Sequence, residues 1–318
     1  MKVRLTKYSL LRWSRICLSI AATGILTLSI CTGASCMPSV GKFLESIQIG
    51  HAVMAFSMAI IVGWLLLTLA FGRIYCSSVC PMGTLQDIAS RSARPMPLRR
   101  FGSSRRRYRY VNAQPRLRNS ILTLTVLAIM GGINAVPSVI EPFAVFNRIC
   151  KALLMPVVEK IAEMLPAGFC PAFPAMAAAS LTATVIAIII ISIVAVISTR
   201  HGRRICNTVC PVGTALGFVS RFAIYQMEID TDLCLNCGRC EDACKGECIN
   251  LTDHIVDGSR CIVCFDCTNV CPNNAISFTR NRKRLSTPLM QKIIGLDRPP
   301  QTTIDCNTDC NTIKKPLK

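Results

Sequence analysis

The sequence predicts a mainly α-helical membrane protein with four transmembrane helices, arranged as a duplicated two-helix unit and followed by a small cytoplasmic α+β module. The chain has 318 residues, of which 51% are hydrophobic, yet its formal net charge is +19 and it contains 20 cysteines. A soluble domain is rarely so apolar and so basic at once, whereas a membrane protein places apolar residues in spans and Lys or Arg in inner loops. The expected domain organisation is therefore defined by three features, namely the apolar runs, a repeated cysteine motif and a cysteine-dense stretch.

Four segments approach the roughly 20 apolar residues that a bilayer span requires. They are Leu11–Cys31, Ala52–Gly72, Ser120–Val136 and Ala175–Ser198. The loop from Arg73 to Arg118 is rich in arginine and has Asp87 as its only acidic residue. By the positive-inside rule, both termini, this loop and the whole region after residue 199 face the cytoplasm. At a membrane face we expect such a loop to contact anionic membrane lipid rather than nucleic acid.

A cysteine motif occurs twice, each time after an apolar run. The stretch GRIYCSSVCPMGTLQDIASR at residues 72–91 is echoed by GRRICNTVCPVGTALGFVSR at residues 202–221. Each contains a Cys-x₃-Cys-Pro motif, with Cys76 and Cys80 in the first and Cys206 and Cys210 in the second. Residues 1–221 are therefore predicted to form a duplicated transmembrane domain.

The chemistry of these two cysteine pairs has two interpretations. Residues four apart on a helix share a face, so each pair presents two thiols together, and a cytoplasmic position disfavours stable disulfides. If the two halves pack about a pseudo-twofold axis, Cys76, Cys80, Cys206 and Cys210 can form one additional thiolate-bound metal or Fe–S centre. The alternative is that they are small buried residues beside a Pro-Gly turn.

Residues 222–280 form a separate module that contains two tandem cysteine runs. "CLNCGRCEDAC" and "CIVCFDCTNVCP" both have the spacing C-x₂-C-x₂-C-x₃-C. This is the bacterial two-cluster ferredoxin signature, in which three cysteines of one run and the fourth of the other hold a [4Fe–4S] cluster. That rule assigns Cys234, Cys237, Cys240 and Cys271 to one cluster, and Cys261, Cys264, Cys267 and Cys244 to the other. Zinc ribbons also use paired C-x₂-C, but two complete runs in tandem favour the clusters.

Two further features of the module give structural expectations. The stretches YQMEID and AISFTR flank the cysteine runs and are expected to pair as antiparallel strands. Cys248 lies four residues after Cys244, which lacks the proline that follows Cys271. Cys248 is therefore either an alternative ligand or a buried neighbour, and the regular spacing favours Cys244.

Several functions are disfavoured by what the sequence lacks. The interiors of the four predicted spans contain no Asp, Glu, Lys, Arg or His, the residues that ion pumps and proton relays need. The three histidines, His51, His201 and His254, do not form the pairs that a membrane haem requires, and no Gly-x-Gly-x-x-Gly motif indicates a dinucleotide site. Residues 281–318 are predicted to be a basic, loosely ordered tail whose Cys306 and Cys310 are free thiols. Cys36, Cys150 and Cys170 fall on the predicted outer side. The sequence allows a disulfide there but indicates no particular pairing.

Together, "GRIYCSSVCP", "GRRICNTVCP" and the tandem runs resemble the membrane polyferredoxins of the NapH/MauN type over about residues 10–280. The resemblance implies a 4Fe-4S binding membrane protein with two CxxxCP motifs that serves as the membrane component of a quinol dehydrogenase. It also implies four spans, two cytoplasmic [4Fe–4S] clusters and a place in the bacterial inner (cytoplasmic) membrane. "IEPFAVFNRI" at residues 140–149 looks like an outer-loop motif of related membrane iron–sulfur proteins, with Glu141 and Arg148 as its polar members.

The function predicted from these features is electron transfer. We expect a membrane protein that relays electrons between the quinone pool and another redox protein, since cysteine-ligated cubanes exchange single electrons. One alternative is an accessory factor that reduces a metal or a thiol during maturation of a respiratory enzyme, with Cys306 and Cys310 as candidate thiols. A redox-sensing regulator is another alternative, although no DNA-binding motif supports it.

Overall fold

A computed structural model describes residues 8–32, 38–55, 57–92, 108–133, 135–164 and 181–280. Residues 93–107 of the arginine-rich loop and the whole tail lie outside these ranges. The expectations for Cys36, Cys170, Cys306 and Cys310 therefore concern residues outside the described structure.

The described chain is mostly helical, and its order of elements follows the sequence repeat. Helices of the first half are α1 (Ser9–Thr32), α2 (Pro38–Ser46), α3 (Ile49–Met54), α4 (Met58–Phe71), α5 (Ile74–Ser78) and α6 (Pro81–Ser92). Helices of the second half are α7 (Pro115–Met130), α8 (Ala135–Ile140), α9 (Pro142–Ile149), a π-helical turn (Cys150–Leu154), α10 (Met155–Met164), α11 (Leu181–His201), α12 (Arg204–Thr208) and α13 (Pro211–Ser220). In both halves an apolar helix is followed by a short helix that carries the first cysteine of the motif, and then by a helix that begins with the proline of the motif.

The predicted spans agree with the helices only in part. Within the described residues, α1 and α11 are long and apolar enough to cross a membrane, which is a hint of membrane association. The predicted second span is divided, because α3 ends at Met54 and α4 begins only at Met58. The third begins earlier than expected, at Pro115, and ends at Met130, where Gly131 and Gly132 follow. With 14 residues, α4 is about 21 Å long, which is shorter than the hydrocarbon core of about 30 Å.

Segments that were predicted to be outer loops fold into the helix bundle. The indole Nε1 of Trp64 in α4 donates to the carbonyl of Ile47 at 2.8 Å, and the hydroxyl of Tyr75 donates to Gln48 Oε1 at 2.7 Å. Glu141, which the sequence left without a role, caps α9 by accepting hydrogen bonds from the backbone N–H groups at 143 and 144. The result is that α3 and α9 pack around the region of Tyr75, next to the first cysteine motif.

The module after α13 contains two small antiparallel sheets. The strand β1 (Gln226–Ile229) pairs with β4 (Ile276–Thr279), in the register Met227 opposite Phe278, which confirms the predicted pairing of the two flanking stretches. Between them lie α14 (Arg239–Ala243), the short strands β2 (Ile249–Asn250) and β3 (Ile255–Val256), and α15 (Asp266–Val270).

The module is attached to the start of α1. The Tyr8 ring stacks on Phe265 with centroids 5.9 Å apart, and Arg12 Nε lies 2.7 Å from Asp266 Oδ1. The N-terminal end of α1 and the module therefore lie on the same side of the helix bundle.

Candidate metal centres

The two Cys-x₃-Cys-Pro motifs meet in space. Every pair among Cys76, Cys80, Cys206 and Cys210 is close enough to interact electrostatically. Cys76, Cys80 and Cys206 are buried, and Cys210 is half-buried. The structure thus brings together the four cysteines whose convergence the sequence left open, and we call this group the central cysteine site.

The repeated residues around the cysteines explain how the chain reaches this arrangement. Gly72 and Gly202 have φ values of +80° and +59°, the left-handed conformation that ends the preceding apolar helix and turns the chain into the motif. A Cβ on Gly202 would lie 2.7 Å from the carbonyl oxygen of Lys245 in the module, so only glycine fits there. Pro81 and Pro211 then open α6 and α13, as proline does at the first position of a helix.

Two buried arginines cross between the halves at the central cysteine site. Arg73 Nη2 donates to the carbonyl of Cys206 at 3.4 Å, and Arg203 Nη1 donates to the carbonyl of Cys76. Both side chains are fully buried. Each half therefore supplies the guanidinium that holds the cysteine backbone of the other half.

The second glycine of each motif leaves room for the crossing arginine. A Cβ on Gly83 would lie 2.8 Å from Arg203 Nη1, and one on Gly213 would lie 2.7 Å from Arg73 Nη2. Such distances are shorter than real Cβ atoms show, so alanine at either position would displace the guanidinium. The reciprocal pattern is that of a pseudo-twofold axis through the site.

The surroundings of the central cysteine site suit an anionic metal group. Three buried donors have no hydrogen-bond partner among the described residues, namely Arg73 Nε, Arg203 Nη2 and Gln86 Nε2. Burial raises the pKa of Cys80, Cys206 and Cys210, so the neutral thiols are favoured until a metal binds. Positive groups and unpaired N–H donors beside four thiols would stabilise thiolates and sulfides of a bound cluster.

The first set of cysteines in the module surrounds an apolar pocket. Cys234 and Cys240 both interact electrostatically with Cys237 and Cys271. Burial raises the pKa of Cys240 to about 12. The pocket is further lined by Ile229, Leu233, Leu235, Leu251, Ala275 and Ile276. Leu233 and Leu235 are exposed, which places this set at the surface of the module.

The second set lies deeper and includes an extra thiol. Cys267 interacts with Cys261, Cys264 and Cys244, the four residues that the spacing assigned to one cluster. Cys248 is also present, with its Sγ 3.4 Å from the Sγ of Cys244. This interaction lowers the pKa of Cys244 to about 7.

The backbone of the two tandem runs has the same unusual shape. Asn236 and Val263, at matching positions of the first C-x₂-C, have φ values of 54° and 51°, and Gly238 and Phe265 have φ values of 74° and 59°. A β-branched residue such as Val263 rarely adopts the left-handed region, and such strain of about 1–3 kcal/mol is typical of functional loops. The tight turns aim the cysteines of each run inward.

The same repeat bears on Cys248. Alignment of the runs places Cys248 opposite Ala275 and Cys244 opposite Cys271. The N–H of Ala275 donates to Cys271 Sγ at 3.3 Å, and the N–H of Cys248 likewise hydrogen-bonds to Cys244. The repeat therefore favours Cys244 as the candidate ligand, and Cys248, which also hydrogen-bonds with Cys261, as its buried neighbour.

The three cysteine sites form a row. Cys267 of the second set interacts with Cys240 of the first. On the other side, Cys264 belongs to the same buried cluster as Cys76 and Cys80, and Arg203 interacts with both Cys206 and Cys264. The central cysteine site, the second set and the first set thus follow one another from the helix bundle to the module surface.

A buried ion-pair network joins the bundle to the module along this row. Asp87 Oδ1 lies 2.9 Å from Arg203 Nε and 3.3 Å from Lys245 Nζ, and Lys245 Nζ lies 3.0 Å from Asp266 Oδ2. Burial raises the pKa of Asp87, but Arg203 and Lys245 more than compensate, so its pKa lies well below the usual value. The sequence did not predict Arg73, Arg203 or Lys245 as residues of the site. Both arginines occur at matching positions of the repeat, and this signal could have identified them.

In the described part of the chain, no three Cys, His, Asp or Glu side chains close tightly enough to surround a single metal ion.

Comparison with known proteins supports an iron–sulfur protein. Residues 53–104 and 182–224 match the family model described as "4Fe-4S binding domain". These two stretches contain both Cys-x₃-Cys-Pro motifs, whereas the tandem runs of the module lie outside them. The match suggests iron–sulfur electron transfer, and it coincides with the central cysteine site.

Two uncharacterized proteins of Methanocaldococcus jannaschii are similar to this chain. MJ0749 is 35% identical over 82 residues, which are 25% of this chain and 32% of the relative. MJ0750 is 24% identical over 245 residues, which are 77% of this chain and 86% of the relative. The match thus spans about a third of the first relative and most of the second. No solved structure matches the chain.

Proposed function

We propose that the protein is a membrane-bound electron-transfer protein that relays electrons between the quinone pool and another redox protein. The observation that carries the proposal is the row of three cysteine sites, which leads from the helix bundle to the module surface. Bound [4Fe–4S] clusters would supply one-electron chemistry with little rearrangement of the ligands. A row of such sites suits transfer over a distance better than bond-making chemistry at one point.

The cysteine spacing and the proximity of the thiols support an assignment of ligands. Cys234, Cys237, Cys240 and Cys271 would hold the outer cluster, and Cys244, Cys261, Cys264 and Cys267 the middle one. Cys76, Cys80, Cys206 and Cys210 would hold a third thiolate-bound centre. Support for this third centre comes from the convergence of the four thiols, the unpaired donors around them and the family match over the same stretches.

The surface around the outer set would be the exit to the redox partner. Leu233 is 50% and Leu235 38% exposed beside Cys234, so an apolar partner surface could approach this set closely. At the other end, the exposed apolar faces of α1 and α11 would hold the protein in the bilayer, with the central cysteine site near the quinone pool.

The test is quinone exchange in purified protein in lipid nanodiscs. Protein reduced with dithionite is mixed with a quinone analogue, and reoxidation of the clusters is followed by EPR and by visible absorption. We expect the Cys206→Ser/Cys210→Ser variant to reoxidise about tenfold or more slowly, while dithionite still reduces the clusters of the module. Cys17→Ser, at an exposed cysteine of α1, is the matched control. If the double variant exchanges electrons with quinone at the wild-type rate, the central cysteine site is not part of the route.

A further inference from the structure

An apolar groove lies between α1, α6 and α10. Its walls are formed by Ile20, Gly24, Leu28, Ile88, Leu154 and Val158. Ile20 is 59%, Leu28 43% and Ile88 55% exposed on a helix bundle whose α1 is long enough to cross a membrane. Exposed apolar side chains at a membrane-spanning helix face lipid, so the groove opens to the hydrocarbon rather than to water.

Gly24 makes the groove wide enough for a flat ring. A Cβ on Gly24 would meet no atom within 4 Å, so the surface of α1 is open at this position. A larger side chain at residue 24 would therefore fill the groove without pressing on any described residue.

The floor of the groove is polar. Thr84 Oγ1 accepts a hydrogen bond from Thr23 Oγ1 at 2.9 Å, and Ser19 Oγ lies 2.6 Å from Thr84 Oγ1. The Thr84 hydroxyl also donates to the carbonyl oxygen of Cys80, so its hydrogen bonds are all made within the protein. The Thr23 hydroxyl lines the groove and can turn to donate to a carbonyl oxygen of a ligand ring, or accept from a ring hydroxyl. An apolar cleft with a few convergent polar groups is typical of a small-molecule site.

The groove also adjoins the central cysteine site. The hydroxyl of Thr84 lies 3.4 Å from the carbonyl oxygen of Cys80, and Thr84 is only four residues further along the chain. A ring that contacts Thr84 would therefore lie beside the backbone of Cys80, which is a candidate metal ligand.

We propose that this groove binds the head group of an isoprenoid quinone, with the ring against Gly24, one ring oxygen at Thr23 and its tail in the bilayer. The proposal rests on the proposed function and gives that function its membrane-side site. A quinone has the three properties that the groove selects, namely a flat apolar ring, an oxygen that forms a hydrogen bond and a long apolar tail. An ordinary lipid chain lacks the first two.

The experiment is photolabelling of the full-length protein in nanodiscs with an azidoquinone that carries a prenyl tail. Labelled peptides are mapped by mass spectrometry, and the label is competed with unlabelled quinone. We expect saturable label on the α1 and α6 peptides that contain Thr23 and Thr84. Gly24→Leu should weaken quinone binding at this site, because the added side chain occupies the ring position. The concentration of unlabelled quinone that is needed to displace the label should then rise about tenfold.

Gly63→Leu is the matched control, since Gly63 on α4 also has nothing within 4 Å of a Cβ. It should leave labelling within about twofold of wild type. Thr23→Val, which keeps the shape and removes the hydroxyl, should weaken competition by about three- to tenfold. Unchanged thermal unfolding and iron content show that each variant is folded.

Label on other peptides that is insensitive to Gly24→Leu would overturn the groove as the site but leave the quinone partner in place. Label on α1 and α6 that excess quinone fails to displace would show an ordinary lipid groove and overturn the proposal. An absence of saturable label anywhere in the chain would overturn both the site and the quinone partner.

Discussion

Arg73 and Arg203 occupy matching positions of the sequence repeat, and each guanidinium contacts the backbone carbonyl of the cysteine that opens the other's motif. Because both side chains are fully buried, their contacts are not screened by water. The arginines therefore fix the relative position of the two halves, and with it the distance between the two cysteine pairs.

Replacement of Arg203 by Met should destabilise the protein by about 3 kcal/mol or more. The change removes the 2.9 Å ion pair with Asp87 and leaves a buried carboxylate with fewer partners. Chemical unfolding in detergent measures the effect. Arg204→Met is the control, since Arg204 is partly exposed and its contact with Glu247 is 3.9 Å long, so it should cost less than about 1 kcal/mol. Equal losses of unfolding free energy in the two variants would show that the buried contacts of Arg203 contribute no more than the partly exposed contact of Arg204.

Gly213→Ala should destabilise the protein by about 1–3 kcal/mol, because the new Cβ would press on Arg73 and on the Cys206 carbonyl. Thermal unfolding measures the effect, and iron content reports on the central cysteine site. Gly63→Ala provides the comparison, because its Cβ meets open space and alanine favours a helix. If Gly213→Ala is as stable as Gly63→Ala, then Arg73 does not lie against Gly213.

Cys248→Ser should retain the full cluster content of the module, whereas Cys244→Ser should lose iron from the middle cluster. The alignment of Cys248 with Ala275, and of Cys244 with Cys271, is the reason. Iron analysis and EPR of the reduced protein distinguish the variants. The reverse result, with iron lost only from Cys248→Ser, would reassign the ligand.

Acidification should weaken the fold through Asp87. Since the folded pKa of Asp87 is lowered, its contribution is fully present above the unfolded pKa of about 3.9 and is lost as the pH falls below that value. Asp87→Asn should be less stable at pH 7 and should lose less further stability on acidification. Circular dichroism of the helices during chemical unfolding at pH 7 and at about pH 2.5 measures how much stability each variant loses on acidification. Asp232→Asn, at an exposed position, serves as control, and a loss equal to that of wild type in Asp87→Asn would refute the assignment.

The cysteine sets and the strands of the module could be predicted from the sequence, because each depends on residues that are close together in the chain. The spacing of each run determines which thiols a tight loop can bring together, and β1 and β4 flank the runs directly. The convergence of Cys76 and Cys80 with Cys206 and Cys210 could be predicted only as a consequence of the repeat.

The remaining features depend on long-range packing. The break between Met54 and Met58 has no strong helix-ending residue to announce it, and hydropathy alone joins α3 to α4. Likewise, Gln48 lies in a stretch that the charge pattern assigns to an outer loop, yet it contacts Tyr75 beside the first motif. Such contacts follow from how helices pack, which periodicity does not encode.

The exchange of arginines has a consequence for the origin of the chain. One half alone would present an arginine without its carbonyl acceptor and two thiols without their partners. Two copies of a single half, related by a twofold axis, would satisfy both arginines with one set of contacts used twice, as homodimers do. A gene for one half could therefore have built the centre by dimerisation. Fusion of two such genes would then free each copy to diverge, as Asp87 has from Gly217 and Gln86 from Leu216.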